Sequence, residues 1–331
     1  LILSAADYRR RLVPFGDNKE IDMGRGPRYA IGAALAALAF SCGQGFAQTA
    51  TGEFDRTVNV TEPVALDVTT GSGSITITRG AAGEVAVHGS IRVRTGGERS
   101  GAEAQALARR LETQPPIEVT GSTVRIGHLD EEDRRNVSIS YEIAVPAATS
   151  VVSRTGSGDQ NLAELNGSID ARTGSGAITL ADIEGAVEVS TGSGNIVAER
   201  IAGAFDGSTG SGSITLVQTA RGDVAVATGS GSVSLSGVES AARARTGSGR
   251  IAIDGSPSGP WDVETGSGSV YLRVPGDAAF SLDLRTSSGA VETSHAVTMV
   301  GSIPRGTIRG DVRGGGALVH VRTGSGSIRV E

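Results

Sequence analysis

Few side chains in this 331-residue chain have the types and spacing that chemistry needs. The four histidines, His88, His128, His295 and His320, are the candidate metal ligands and neutral-pH acid–base groups. They are scattered, and no pair stands at a ligand spacing, so neither a metal trio nor a cofactor is expected. Asp159, Asp170, Asp182, Asp206 and Asp223 would suit a polysaccharide-cleaving enzyme if they clustered, but they are assigned to different columns of the repeat described below. A polysaccharide lyase or hydrolase is therefore the minor alternative. Serine is abundant, yet its copies recur inside one repeated tetrapeptide, where identity from copy to copy argues for architecture rather than for a nucleophile. No catalytic, cofactor or metal residue is predicted. What remains is a broken column of arginines, Arg154, Arg172, Arg245, Arg285 and Arg322, interrupted by Ser190, Ser208, Ala227 and Glu264. It offers at most a weak anion-binding stripe on a solvated face.

The element that would position these groups is Thr-Gly-Ser-Gly. It begins at Thr70, Thr155, Thr173, Thr191, Thr209, Thr228, Thr246, Thr265 and Thr323, with Thr-Ser-Ser-Gly at Thr286. From Thr155 to Thr286 the steps are 18, 18, 18, 19, 18, 19 and 21 residues, and the last is 37. A period of this size marks a stacked, quasi-one-dimensional protein. Residues four and two before the threonine are almost all aliphatic or small, as in Ile169 and Ala171; those five and seven after it repeat the pattern, as in Ile178 and Leu180. Alternation of period two on both sides predicts strand, corner, strand. The corners, such as Thr155, Gly156, Ser157, Gly158, then Thr173, Gly174, Ser175, Gly176, and Thr191, Gly192, Ser193, Gly194, are expected to need glycine for positive φ, with hydroxyls forming a polar ladder. Leu165, Ile183, Ile201 and Val238 mark a third, weaker side, so a triangular coil is expected. The predicted fold is all-β: a single-stranded parallel β-solenoid, right-handed by the usual rule for parallel crossovers, with 18 to 19 residues per rung.

Residues 151 to 331 form the regular stack, and 48 to 150 an N-terminal cap with early rungs. Ala102 to Leu111 is its one helix, ended by Pro115-Pro116, and Thr120-Gly121-Ser122 reads as a shortened corner. Upstream, Met23 opens a basic n-region with Arg25 and Arg28, an apolar run from Ala30 to Phe40 and a small-x-small site ending at Ala47. Residues 23 to 47 are thus predicted to be a signal peptide, and 1 to 22 an extension from a mis-assigned start. Cys42, the only cysteine, excludes an intramolecular disulfide; lipidation there is the less favoured route to the envelope. After removal of residues 1 to 47 the chain carries 24 arginines against 32 carboxylates, a balance that argues against nucleic acid. The final strand, around Ile328, is expected to leave an open edge through which copies could associate.

The succession LDVTTGSGSITI, EAQALARRL, VRIGHLDEEDRRNVSISYEIAVP and the tandem TGSGxI units resembles the bacterial putative-adhesin family of exported GSG-repeat β-solenoid domains, whose activity is largely undefined. The likeness covers Phe54 to Glu331. It implies a non-enzymatic interaction module in the periplasm or on the cell surface, with an envelope or extracellular glycan or protein as partner. Similar domains accompany envelope-stress systems, so a self-assembling periplasmic scaffold is the alternative that the resemblance leaves open.

Overall fold

Two short alternating segments per repeat, joined by a glycine corner, can bury their apolar sides only against the repeats above and below. The computed structural model describes residues 49–95, 100–134, 136–299 and 305–331, all within the unit Gly45–Glu331. The expected extension, the signal peptide and Cys42 lie outside the described residues.

The N-terminal part comprises β1 (Thr49–Asn59), β2 (Val64–Ser72), β3 (Ile75–Arg79), β4 (Glu84–Arg94), α1 (Gly101–Thr113), β5 (Ile117–Thr120), β6 (Thr123–Ile126), α2 (Glu131–Arg134) and β7 (Val137–Val145). Seven regular rungs follow: β8 (Thr149–Ser157) with β9 (Gln160–Leu165), β10 (Ile169–Thr173) with β11 (Ile178–Glu184), β12 (Val187–Thr191) with β13 (Ile196–Ala202), β14 (Phe205–Thr209) with β15 (Ile214–Ala220), β16 (Val224–Thr228) with β17 (Val233–Val238), β18 (Ala242–Ser248) with β19 (Ile251–Gly255), and β20 (Trp261–Ser267) with β21 (Val270–Arg273). Then come β22 (Phe280–Ser288), β23 (Val291–Thr293), β24 (Val297–Thr298), β25 (Thr307–Val312), β26 (Ala317–Ser325) and β27 (Ile328–Val330).

The strands before each corner stack into a 14-stranded sheet and those after it into a 13-stranded sheet. Between regular rungs the pairing is parallel, and Thr155, Thr173, Thr191, Thr209 and Thr228 lie in one register. The result is a solenoid-like stack whose core is the predicted set of columns, with Val151, Ile169, Val187, Phe205 and Val224 all buried. Gln160, the polar misfit in its column, is buried too, and its amide donates to the Arg172 carbonyl at 2.6 Å. An extra residue in the 19-residue step after Thr209 is absorbed beside buried Gln218, whose amide donates to Gly203 and Gly222.

The expected triangle is corrected to two sheets. The third column, Leu165, Ile183 and Ile201, is buried as predicted, but it belongs to the same strands as the second. Glu164, Asp182 and Arg200, stacked at φ of 59°, 55° and 56°, turn the chain in the left-handed region without breaking the ladder.

Both ends depart from sequence order. In space β6 and β7 lie outside β2 and β3, and β26 and β27 lie between the rung of β20–β21 and that of β22–β23. The open edge expected at Ile328 is therefore corrected: Ile328 pairs with Val270 on one side and Val291 on the other. The 37-residue step holds an antiparallel cap, β25 on β22 and β24 on β25. Thr120-Gly121-Ser122 is likewise no corner; it is the hairpin turn joining β5 to antiparallel β6. At the N-terminal end α1 begins with a capping box between Ser100 and Glu103 and packs Ala104, Leu107, Ala108 and Leu111 against β1 and β4.

Candidate interaction surface

From Thr155 to Thr265 the corner threonines face inward and are buried, and each hydroxyl donates to a glycine carbonyl of the adjacent rung. Thr173 reaches Gly158 at 3.0 Å, Thr191 reaches Gly176 at 2.8 Å, Thr209 reaches Gly194 at 2.8 Å and Thr246 reaches Gly231 at 2.9 Å. This is the polar ladder predicted at the corner, made by threonine to backbone. The serines between the glycines, Ser157, Ser175 and Ser193, point outward and are exposed.

The reason for the glycines is corrected. Gly156, Gly158, Gly174, Gly176, Gly192 and Gly194 do not adopt positive φ. They are small because rungs meet backbone to backbone: a Cβ on Gly194 would overlap the carbonyl oxygen of Gly176, and one on Gly176 that of Gly158. A side chain there would push rungs apart and break the hydrogen-bond ladder and the threonine ladder together.

Outside the 14-stranded sheet, the arginine column stands beside a column of acids two positions earlier. Asp170 and Asp206 share that column with Glu188 between them, so the expectation that these aspartates occupy different columns is corrected for this pair. Arg172 contacts Asp170 at 2.8 Å and Glu188 at 2.6 Å. Arg154 lies 3.8 Å from Asp67 and 3.7 Å from Asp170, and Arg245 contacts Asp262 at 3.0 Å and Glu264 at 3.3 Å. Arg285 contacts Asp283 at 2.9 Å. Four of the five stripe arginines are thus compensated by carboxylates on their own face, and Arg322 alone has no ion pair among the described residues. Such exposed pairs contribute at most about 1 kcal/mol each, so the face reads as a charge mosaic.

Asp182 and Arg200 form a second, bidentate pair across neighbouring rungs, with Nη2 to Oδ2 at 2.6 Å. The guanidinium hydrogen bond holds the Asp182 carboxyl below its ordinary range and raises Arg200. Near the C-terminal end of the stack, Asp283 is largely buried and meets Arg285, Arg309 at 2.9 Å and His320 at 3.6 Å. Burial pushes its carboxyl up, but hydrogen bonds from Arg285 and Arg309 outweigh it and leave the group lowered.

The other histidines stay apart: His88 contacts Asp55 at 2.9 Å, His128 lies 3.5 Å from Asp67, and His295 stacks edge-on to Phe280. Among the described residues no three His, Cys, Asp or Glu side chains come together as a metal site.

The fold thus defines a solenoid-like repeat protein with parallel strands in two long sheets. Residues 185–331 match the family model Toastrack DUF4097. No curated protein matches the chain. Among solved structures, the chain is similar to a putative cell adhesion protein from Clostridium sporogenes (13% identity, 85% of this chain and 98% of that one, TM-score 0.18). It is also similar to a putative lipid binding protein from Parabacteroides distasonis (14%, 85% and 97%, TM-score 0.40) and to a putative adhesin from Bacteroides fragilis (12%, 84% and 97%, TM-score 0.31).

Proposed function

We propose that the protein is a non-enzymatic, exported interaction module of the bacterial cell envelope, adhesin-like in action. The observation that carries this reading is the register of the stack: the same outward positions recur rung after rung, about every 4.8 Å, which suits an extended partner held by many weak contacts. The predicted signal peptide and the resemblance of the repeats to exported adhesin-type domains point the same way. A tag inserted at the exposed Gly314 turn, probed with protease on intact cells, tests location. Shaving of the tag from intact cells places the protein on the surface; protection until the outer membrane is opened removes adhesion and leaves a periplasmic interaction role. Purified protein is then offered to whole cells, matrix and envelope glycans, and failure to bind any of them sinks the module reading.

A further inference from the structure

A groove of about 720 Å³ runs along the start of the 14-stranded sheet's strands, crossing all seven regular rungs from Ser150 to Pro260. Seven rungs at ~4.8 Å make it roughly 29 Å long. Small side chains such as Ala186, Ala204 and Ala241 pave it, and apolar edges of the inward column line it. One bank is acidic, formed by Asp170, Glu188 and Asp206 in direct cross-strand register, and Asp223 enters from the next rung.

Like charges directly opposite across strands repel, and toward either end this bank is neutralised by Arg172 or by Arg245 and Arg243 beside Asp262. In the middle the arginine column gives way to Ser190, Ser208 and Ala227. Asp206 and Asp223 consequently have no ion pair among the described residues, and Asp223 only accepts the Ala241 amide at 3.3 Å. The groove is apolar along its floor and unbalanced in charge at its centre.

We infer that this groove receives an extended, cationic polypeptide segment. Small apolar side chains would sit on the alanine floor, and lysine or arginine side chains would reach Asp206 and Asp223. An extended chain rises ~3.3 Å per residue, so about nine residues fill the length, far more than a small polyamine covers. The overall excess of carboxylates favours approach of such a partner. The inference rests on the interaction-module reading and names a partner class for it.

The test is fluorescence anisotropy of a labelled alternating Lys-Ala decapeptide with the purified full chain, against Glu-Ala and Gln-Ala decapeptides. The lysine peptide is expected to bind, with affinity falling as salt is added, and the other two to fail. Asp206→Asn combined with Asp223→Asn should weaken binding about fivefold or more. Ala204→Arg should abolish it. Glu199→Gln with Asp254→Asn, which removes the same charge from the outer face of the other sheet, should leave it unchanged. Absence of lysine-peptide binding, an equal loss in both double variants, or competition by spermine at equal affinity would overturn the inference. Glycan or cell binding by the unaltered chain in the absence of any lysine-peptide binding would sink the groove and leave the module reading standing.

Discussion

The hydroxyl of Thr323 donates to the carbonyl oxygen of Gly268 at 2.9 Å, across 55 positions of sequence, while Thr286 bonds to Gly326 at 2.9 Å across 40. The corners from Thr173 to Thr265 make the same bond over 15 or 16 positions. Together the two long bonds record that the rung of β26 and β27 sits inside the stack, with β22 and β23 beyond it. Deleting residues 317–331 should therefore remove an interior rung and strand the antiparallel β22–β25 cap. We expect lower thermal stability and rapid proteolysis between residues 275 and 316. Deleting 191–208, one regular repeat, should instead leave a cooperative fold with unchanged circular dichroism per residue. Equal tolerance of both deletions would contradict the observed order.

Backbone contact is tightest at the second glycine of each corner, and glycine stands there even in the Thr286 corner, where Ser287 replaces the first. Gly194→Ala should cost roughly 2–4 kcal/mol in denaturant unfolding, because the new Cβ meets the Gly176 backbone. Gly276→Ala, where nothing lies within 4 Å, should change stability by less than about 0.5 kcal/mol.

The threonine ladder contributes through a buried hydroxyl. Thr191 donates to Gly176 at 2.8 Å and accepts from the Gly194 amide at 3.1 Å. Thr191→Val keeps the shape and leaves the part-buried Gly176 carbonyl without this donor, so a loss of about 1–3 kcal/mol is expected. Thr191→Ser should recover most of the loss; if it recovers none, methyl packing rather than the hydroxyl is what the position needs.

Acid should loosen the C-terminal end first. The Asp283 carboxyl is lowered in the folded protein, so its stabilisation is complete above the ordinary carboxylate range near pH 4 and is lost as pH falls through the lower folded value. Hydrogen exchange below pH ~4 should show β22, β25 and β26 opening before the central rungs. Asp283→Asn should remove that pH dependence while weakening the cap at neutral pH.

Period, strand pairs, buried columns and the helix could all be read from the amino-acid order, because apolar alternation and corner spacing are local signals. Val151, Ile169 and Ile178 were placed correctly for that reason. The role of the glycines was not, since whether Gly194 bends the chain or admits a neighbour's carbonyl depends on the rung beside it. The two-sheet section escaped for a similar reason: nothing in Glu164, Asp182 or Arg200 announces a left-handed conformation. Rung order at the ends is a long-range choice, invisible to spacing alone. The arginine column was visible, but its neutralisation by Asp170, Glu188 and Asp262 needed the register of the sheet.

The interlocked ends bear on how such a protein can change length over evolutionary time. Because β6–β7 and β26–β27 are threaded out of sequence order, a unit copied at either extremity would have to break an established pairing to find a place. A unit copied between β8 and β21 meets only copies of itself, and slots in without disturbing either terminus. Genes for proteins of this build should lengthen and shorten from the middle, with divergent, length-invariant ends.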